Sequence, residues 1–223
     1  MNFIQELETE LVRHKNTENA LKMEAYMKHH FSFLGIKTET RRAVFQDLWK
    51  KHQSEIQSNF REISWELFNK KEREFQYCGM EILIKEIKKK YLKEDDKLIE
   101  QWIITNSWWD SVDVLAKYLL GGYLLQFPDK TLKVIERFSN ANNIWLNRSA
   151  ILFQLSYKQK TNFELLKSEC EKHKHSNEFF IQKAIGWSLR DYGRFNPNAV
   201  KSYVENTNLK PLSKKEALRN ILK

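Results

Sequence analysis

Seven consecutive residues, Ser107 to Asp113 (SWWDSVD), combine two indoles with two carboxylates. An indole face is electron-rich and an aspartate carries a fixed negative charge, so the pair attracts a cation rather than an apolar core partner. Thirty-five residues after Asp113 stands Arg148, and 35 more lead to Lys183. Trp109 precedes Asp113 by four residues and Trp187 follows Lys183 by four, each one helical turn from that row. Arg190 lies three residues beyond Trp187. If the interval is a structural repeat, phase alone gathers two indoles, one carboxylate and several cations along one stripe. The same spacing also has a purely architectural reading, because stacked repeats can set an aspartate against the arginine one unit later as an ion-pair ladder. Both readings stay open at the level of spacing.

The elements that would position these residues are helices. Apolar residues recur at helical intervals, as in Phe3, Leu7 and Leu11, in Phe75, Met80, Leu83, Ile84 and Ile87, and in Ile151, Leu152 and Leu155. Four segments align with one another: REFQYCGMEIL from Arg73, WDSVDVLAKYL from Trp109, WLNRSAILFQL from Trp145 and FIQKAIGWSLR from Phe180. Their starts differ by 36, 36 and 35 residues. A period of that size marks an α-solenoid of HEAT, armadillo or TPR kind, in which stacked helical pairs bury a shared core and offer a concave face. Ser107, Thr161 and Ser213, each three residues before an acid, read as helix caps, and Pro128, Pro197 and Pro211 as helix boundaries. Trp49, Trp65, Trp102 and Trp145 read as packing residues. Trp108 and Trp109 are about 100° apart on a helix, so only one can face a core squarely.

Composition agrees with an all-α chain of one domain, residues 1–223. Six Gly and three Pro are too few for the hairpins of an all-β protein. Lys and Arg total 38 against 29 acids, a net charge of +9, which favours a polyanionic partner. The most apolar segment, VLAKYLLGGYLLQF, contains Lys117 and falls short of the roughly 18 apolar residues of a membrane span. The first residues, MNFIQELETELVRHK, carry acids and no apolar core, so a secretory signal is not expected and the cytoplasm is. Cys78 and Cys170 are isolated and the six His form no HExxH, so neither a disulfide framework, a metal site nor a cofactor is expected. His173 and His175 read as surface residues. The basic runs Lys85–Lys97, YKQK at 157–160 and LSKKEALRNILK at the C-terminal end read as solvated helix surfaces more than as specific contacts.

Taken together, NSWWDSVD, NIWLNRSAILFQLSYKQK, FFIQKAIGWSLRDY and HHFSFLGIKTETRR closely resemble the AlkD-type alkylpurine DNA glycosylases of bacteria, in the same order and through to PLSKKEAL. The resemblance implies a stack of HEAT-like repeats whose concave basic face holds duplex DNA. It implies hydrolysis of the N-glycosidic bond of cationic N3- and N7-alkylated purines, such as 3-methyladenine and 7-methylguanine. The family's catalytic aspartate falls on Asp113, its two lesion-flanking tryptophans on Trp109 and Trp187, and its DNA-contacting arginine on Arg148. Tyr26, in AYMKHHF, matches a tyrosine near the same site. Lys183 and Arg190 would grip flanking phosphates. The resemblance further implies that the lesion stays in the duplex, which would admit bulky adducts, and a protein associated with the nucleoid when bound. A monomer without an obligate protein partner is expected, since no self-pairing heptad stands out.

The chemistry suits these residues. A purine alkylated at N3 or N7 is already cationic and departs neutral without a general acid, leaving a sugar of oxocarbenium character. One carboxylate about 4 Å from that cation is worth roughly 4 kcal/mol at an effective dielectric near 20, about a thousandfold in rate. Indole faces add roughly 0.5 to 2 kcal/mol each. Two other functions compete: a non-catalytic module that binds damaged or distorted DNA, and a protein-binding solenoid unrelated to DNA.

Overall fold

Asn2 starts the first helix. Its side chain accepts from the Gln5 N–H at 2.9 Å while the Gln5 side chain accepts from the Asn2 N–H at 3.3 Å, a reciprocal cap that satisfies two otherwise unpaired donors. The computed structural model describes residues 1–88 and 90–219, so Lys89 of the Lys85–Lys97 run and Asn220 to Lys223 of the C-terminal basic run lie outside the described residues. The chain forms two compact units, Met1–Lys90 and Tyr91–Lys223.

In the first unit, α1 (Phe3–Arg13) buries Phe3, Leu7 and Leu11. It packs on α3 (Thr38–Lys51) and α4 (Gln53–Phe68), and α4 packs on α5 (Arg73–Ile87). The α4–α5 contact is close because Gly79 carries no side chain: a Cβ there would lie 2.5 Å from the Ser64 carbonyl oxygen. The shorter α2 (Thr17–Tyr26) is capped by Asn16. The loop that follows is tied down by Glu74, whose buried carboxylate accepts the N–H groups of Leu34, Gly35 and Ile36 at 3.0, 2.9 and 3.1 Å.

The second unit is a run of helical hairpins. Its outer members by sequence are α6 (Asp95–Ile104), α9 (Thr131–Ser139), α11 (Phe163–His173) and α13 (Pro197–Asn206), and each leads into a partner helix. The partners are α7 (Trp109–Val114), α10 (Ile144–Leu152), α12 (Phe179–Gly193) and α14 (Pro211–Leu218). α7 runs without a break through a π-helical segment, Leu115–Leu120, into α8 (Gly121–Gln126). The partner helices form a layer in which α7 contacts α10, α10 contacts α12, and α12 contacts α14. The expected period is real: α5, α7, α10 and α12 begin at Arg73, Trp109, Ile144 and Phe179. The fold is all-α and built of helical repeats. Among the described residues there is no strand, only an isolated bridge between Ser32 and Glu72, and no helix is long and apolar enough to cross a membrane.

The three hydroxyl caps are corrected. The Ser107 hydroxyl donates back to the Ile103 carbonyl at 2.6 Å, and α7 begins beyond Trp108, where the Ser111 hydroxyl accepts the Trp108 N–H at 3.4 Å. α11 is capped by Asn162 rather than Thr161, with the Leu165 N–H donating at 3.0 Å. Ser213 lies inside α14, which Pro211 opens, and its hydroxyl donates to the Gln182 carbonyl of α12 at 3.0 Å. For α11 and α14 a neighbouring Asn or Pro starts the helix, and at α14 the hydroxyl is left for a bond to another helix. His173 is also corrected: its side chain is 13% exposed, and it meets the Ser139 hydroxyl across α9 and α11 at 2.8 Å. Trp49 and Trp102 are buried, whereas Trp65 and Trp145 are only half-buried.

Candidate functional site

Two ladders run across this layer, one over α7, α10 and α12 and one that reaches α14. The first is aromatic. Trp108 at the start of α7 meets Trp145 at the start of α10 and Phe180 at the start of α12, with ring centroids 5.6 and 5.2 Å away, and Trp145 meets Phe180 at 5.1 Å. Edge-to-face contacts of this kind stiffen the ends of three neighbouring helices. Trp108 thus takes the packing role of the tryptophan pair. Trp109, the first residue of α7, is half-buried.

The second ladder is ionic, one turn further along. Arg148 lies in the middle of α10, whose start is fixed by the Asn143 side chain accepting from Trp145 N at 2.9 Å. Its Nε donates to Asp113 Oδ1 at 2.7 Å and its Nη2 to Asp113 Oδ2 at 3.0 Å. Its Nη1 donates to the Phe180 carbonyl, and the guanidinium carbon stands 5.9 Å from the Phe180 ring. Three directions of the guanidinium are therefore committed within the protein, and the Arg148 side chain is 5% exposed. Arg148 is thus the buried cation of a two-point pair. Asp113 is the more exposed partner, at 15%. Burial raises the Asp113 carboxyl above its ordinary pKa, Arg148 opposes that rise, and Asp110 adds to it. The pair is a fixed dipole whose negative end is the less buried one.

Further along the row, Lys183 and Arg190 of α12 converge on one carboxylate that spacing alone left unnoticed. Glu216 of α14 accepts from Lys183 Nζ at 2.8 Å on Oε1 and from Arg190 Nη1 at 2.5 Å on Oε2, and Arg190 also reaches the Glu216 carbonyl at 3.2 Å. These hydrogen bonds, that from Lys183 foremost, hold the Glu216 carboxyl below its ordinary pKa. Glu216 follows Lys183 by 33 residues, whereas the 35-residue step lands on Leu218, so the row does not point to it. In the sequence it stands out only as the acid three residues after Ser213. Lys183 is the most exposed of the three side chains, at 35%. Trp187, between Lys183 and Arg190, is half-buried and packs against the core cluster of this unit. Tyr26 ends α2 in the first unit and is 71% exposed.

The repeat fold, with charged and aromatic residues at equivalent positions of successive hairpins, defines a helical-repeat protein carrying a polar row on one helical layer. A family model described as DNA alkylation repair enzyme matches residues 7–221, and the chain belongs to that family. It is similar to a solved structure described as a predicted DNA alkylation repair enzyme from Enterococcus faecalis, at 34% identity and a TM-score of 0.85, over 94% of this chain and 97% of that one. Two structures from Streptococcus mutans share the fold at lower identity. AlkD2 is 16% identical with a TM-score of 0.62, over 90% of this chain and 98% of that one. The protein smu.31 is 15% identical with a TM-score of 0.58, over 82% and 98%. Comparison with curated protein sequences yields no match. Membership supports a role as an enzyme that acts on DNA to repair alkylation damage.

Proposed function

We propose that the protein is a DNA glycosylase that hydrolyses the N-glycosidic bond of cationic N3- and N7-alkylated purines in duplex DNA, with residues 1–223 acting as one functional domain. The observation that carries this reading is the Asp113 carboxylate, the less buried member of a fixed pair whose cationic end is buried. In the proposed mechanism Asp113 stabilises the sugar as it gains oxocarbenium character and orients the attacking water. Arg148 sets the rotamer of Asp113, and Trp109 and Trp187 face the cationic nucleotide. Lys183, Arg190 and Tyr26 contact the DNA around it. Because the charged base leaves neutral, no general acid is required, and contact through sugar and backbone leaves the lesion stacked and admits bulky adducts.

Arg148 reduces the electrostatic gain. A carboxylate about 4 Å from the sugar contributes roughly 4 kcal/mol, but a guanidinium about twice as far away opposes it by roughly half. The net, about 2 kcal/mol, corresponds to about thirtyfold in rate. The test is release of 7-methylguanine from alkylated duplex DNA by the wild type and by Asp113→Asn. A loss of about thirtyfold supports the reading, and equal rates would remove Asp113 from the mechanism.

The closed Asp113–Arg148 pair also favours a second reading, a non-catalytic module that binds damaged or distorted DNA, in which the pair is only a structural ladder. Salt-sensitive duplex binding with no base release over many hours would select it.

A further inference from the structure

We infer that Glu216 is a positioning residue: through it, α14 braces the two cations on either side of Trp187 into a pre-formed phosphate contact. This rests on the reading of α12 as a DNA-facing helix. Lys183 and Arg190 are seven residues apart, two turns of α12, and one carboxylate spans both. The span is possible because Gly186 lies between them: a Cβ there would stand 2.4 Å from the Glu216 Cβ and 2.9 Å from the Ser213 carbonyl oxygen. The Ser213 hydroxyl fastens the same helix to the Gln182 carbonyl, one residue before Lys183. Glu216 and Arg190 are 11% and 17% exposed and Lys183 is 35% exposed. The outermost charge of the cluster is thus an ammonium, which holds three protons and here uses one on Glu216.

Two effects of the carboxylate oppose each other. Its negative charge repels a phosphate, a penalty of about twofold in affinity at about 8 Å in water. Its hydrogen bonds hold two long side chains in one geometry, so that their rotamer freedom is not lost when DNA binds, a gain of about five- to tenfold. The second is larger, so removing an acid from this basic protein weakens duplex binding instead of tightening it.

The experiment measures binding of an undamaged duplex over a range of salt, and release of 7-methylguanine, for the wild type, Glu216→Gln, Glu216→Asp, Lys183→Met and the Glu216→Gln/Lys183→Met double variant. Glu216→Gln is expected to weaken binding about two- to fivefold, the net of these two effects, and to flatten its salt dependence. The double variant should be little weaker than Glu216→Gln alone, because Glu216 acts in part through Lys183. Glu216→Asp keeps the charge but shortens the reach and should also weaken binding, which covers the case in which the glutamine variant does not fold. Unchanged or tighter binding by either Glu216 variant would overturn the inference. Absence of base release by the wild type would instead overturn the glycosylase reading, while the binding measurements still decide the role of Glu216.

Discussion

In the proposed mechanism Asp113 combines two features that pull against each other, partial burial and a requirement for negative charge. Burial raises its pKa from the ordinary carboxylate value and Arg148 resists the rise. Because the native carboxyl takes up its proton at a higher pH than a free aspartate, base release should fall away on the acid side above the usual carboxylate range. A pH profile of single-turnover release checks this, and the acid limb should be absent in Asp113→Asn. Arg148→Lys keeps the charge but loses the two-point contact. It should move the acid limb to higher pH and slow release at neutral pH several-fold, whereas a pure phosphate contact would change affinity and leave the limb in place.

At the scale of elements, the α9–α11 contact contains a buried carboxyl, Glu169. Glu169 is 6% exposed, its Oε2 finds no hydrogen-bond partner among the described residues, and burial raises its pKa. A raised native pKa means that the folded state binds more protons than the unfolded one, so this group costs stability above its native pKa and not below the unfolded value. Glu169→Gln should therefore raise the melting temperature at neutral pH by a few degrees, about 1 kcal/mol. The gain should vanish as pH falls through the window between native and unfolded pKa values, as thermal melts across pH will show. His173, which faces the same interface, is shifted downward by burial, so its contribution has the opposite slope and weakens the fold as pH falls below its ordinary range. At the α12–α14 contact, Gly186→Ala introduces a Cβ where backbone and Glu216 already stand. A loss of about 1–3 kcal/mol is expected from overpacking, measured by denaturant titration.

For the whole molecule, a net charge of +9 predicts duplex binding that weakens steeply with salt and shows little sequence preference. The slope of log affinity against log salt is expected to be about 0.9 per phosphate neutralised. A fluorescence titration at several salt concentrations measures it, and a flat dependence would point away from the phosphate backbone. Sedimentation at micromolar concentration is expected to show a monomer.

Helical period was the most legible feature of this chain, because burying one stripe of each helix forces apolar residues into a 3.6-residue rhythm and stacking repeats that rhythm every 35 or 36 residues. That same rhythm located Asp113, Arg148 and Lys183 on one row before any coordinates, and even implied the two competing uses of the row. Partner choice was not legible. Whether Arg148 faces a phosphate or Asp113, whether Lys183 is loose or held by Glu216, and whether Ser213 caps its own helix or bonds Gln182 all depend on distances between helices. Those distances depend on close approach at residues such as Gly186, which leaves no periodic trace. Hydrophobic pattern is a property of one helix and its buried side, so the sequence alone determined which residues share a face. A hydrogen bond requires two atoms within about 3 Å, so only the tertiary structure decided which of those residues hold one another.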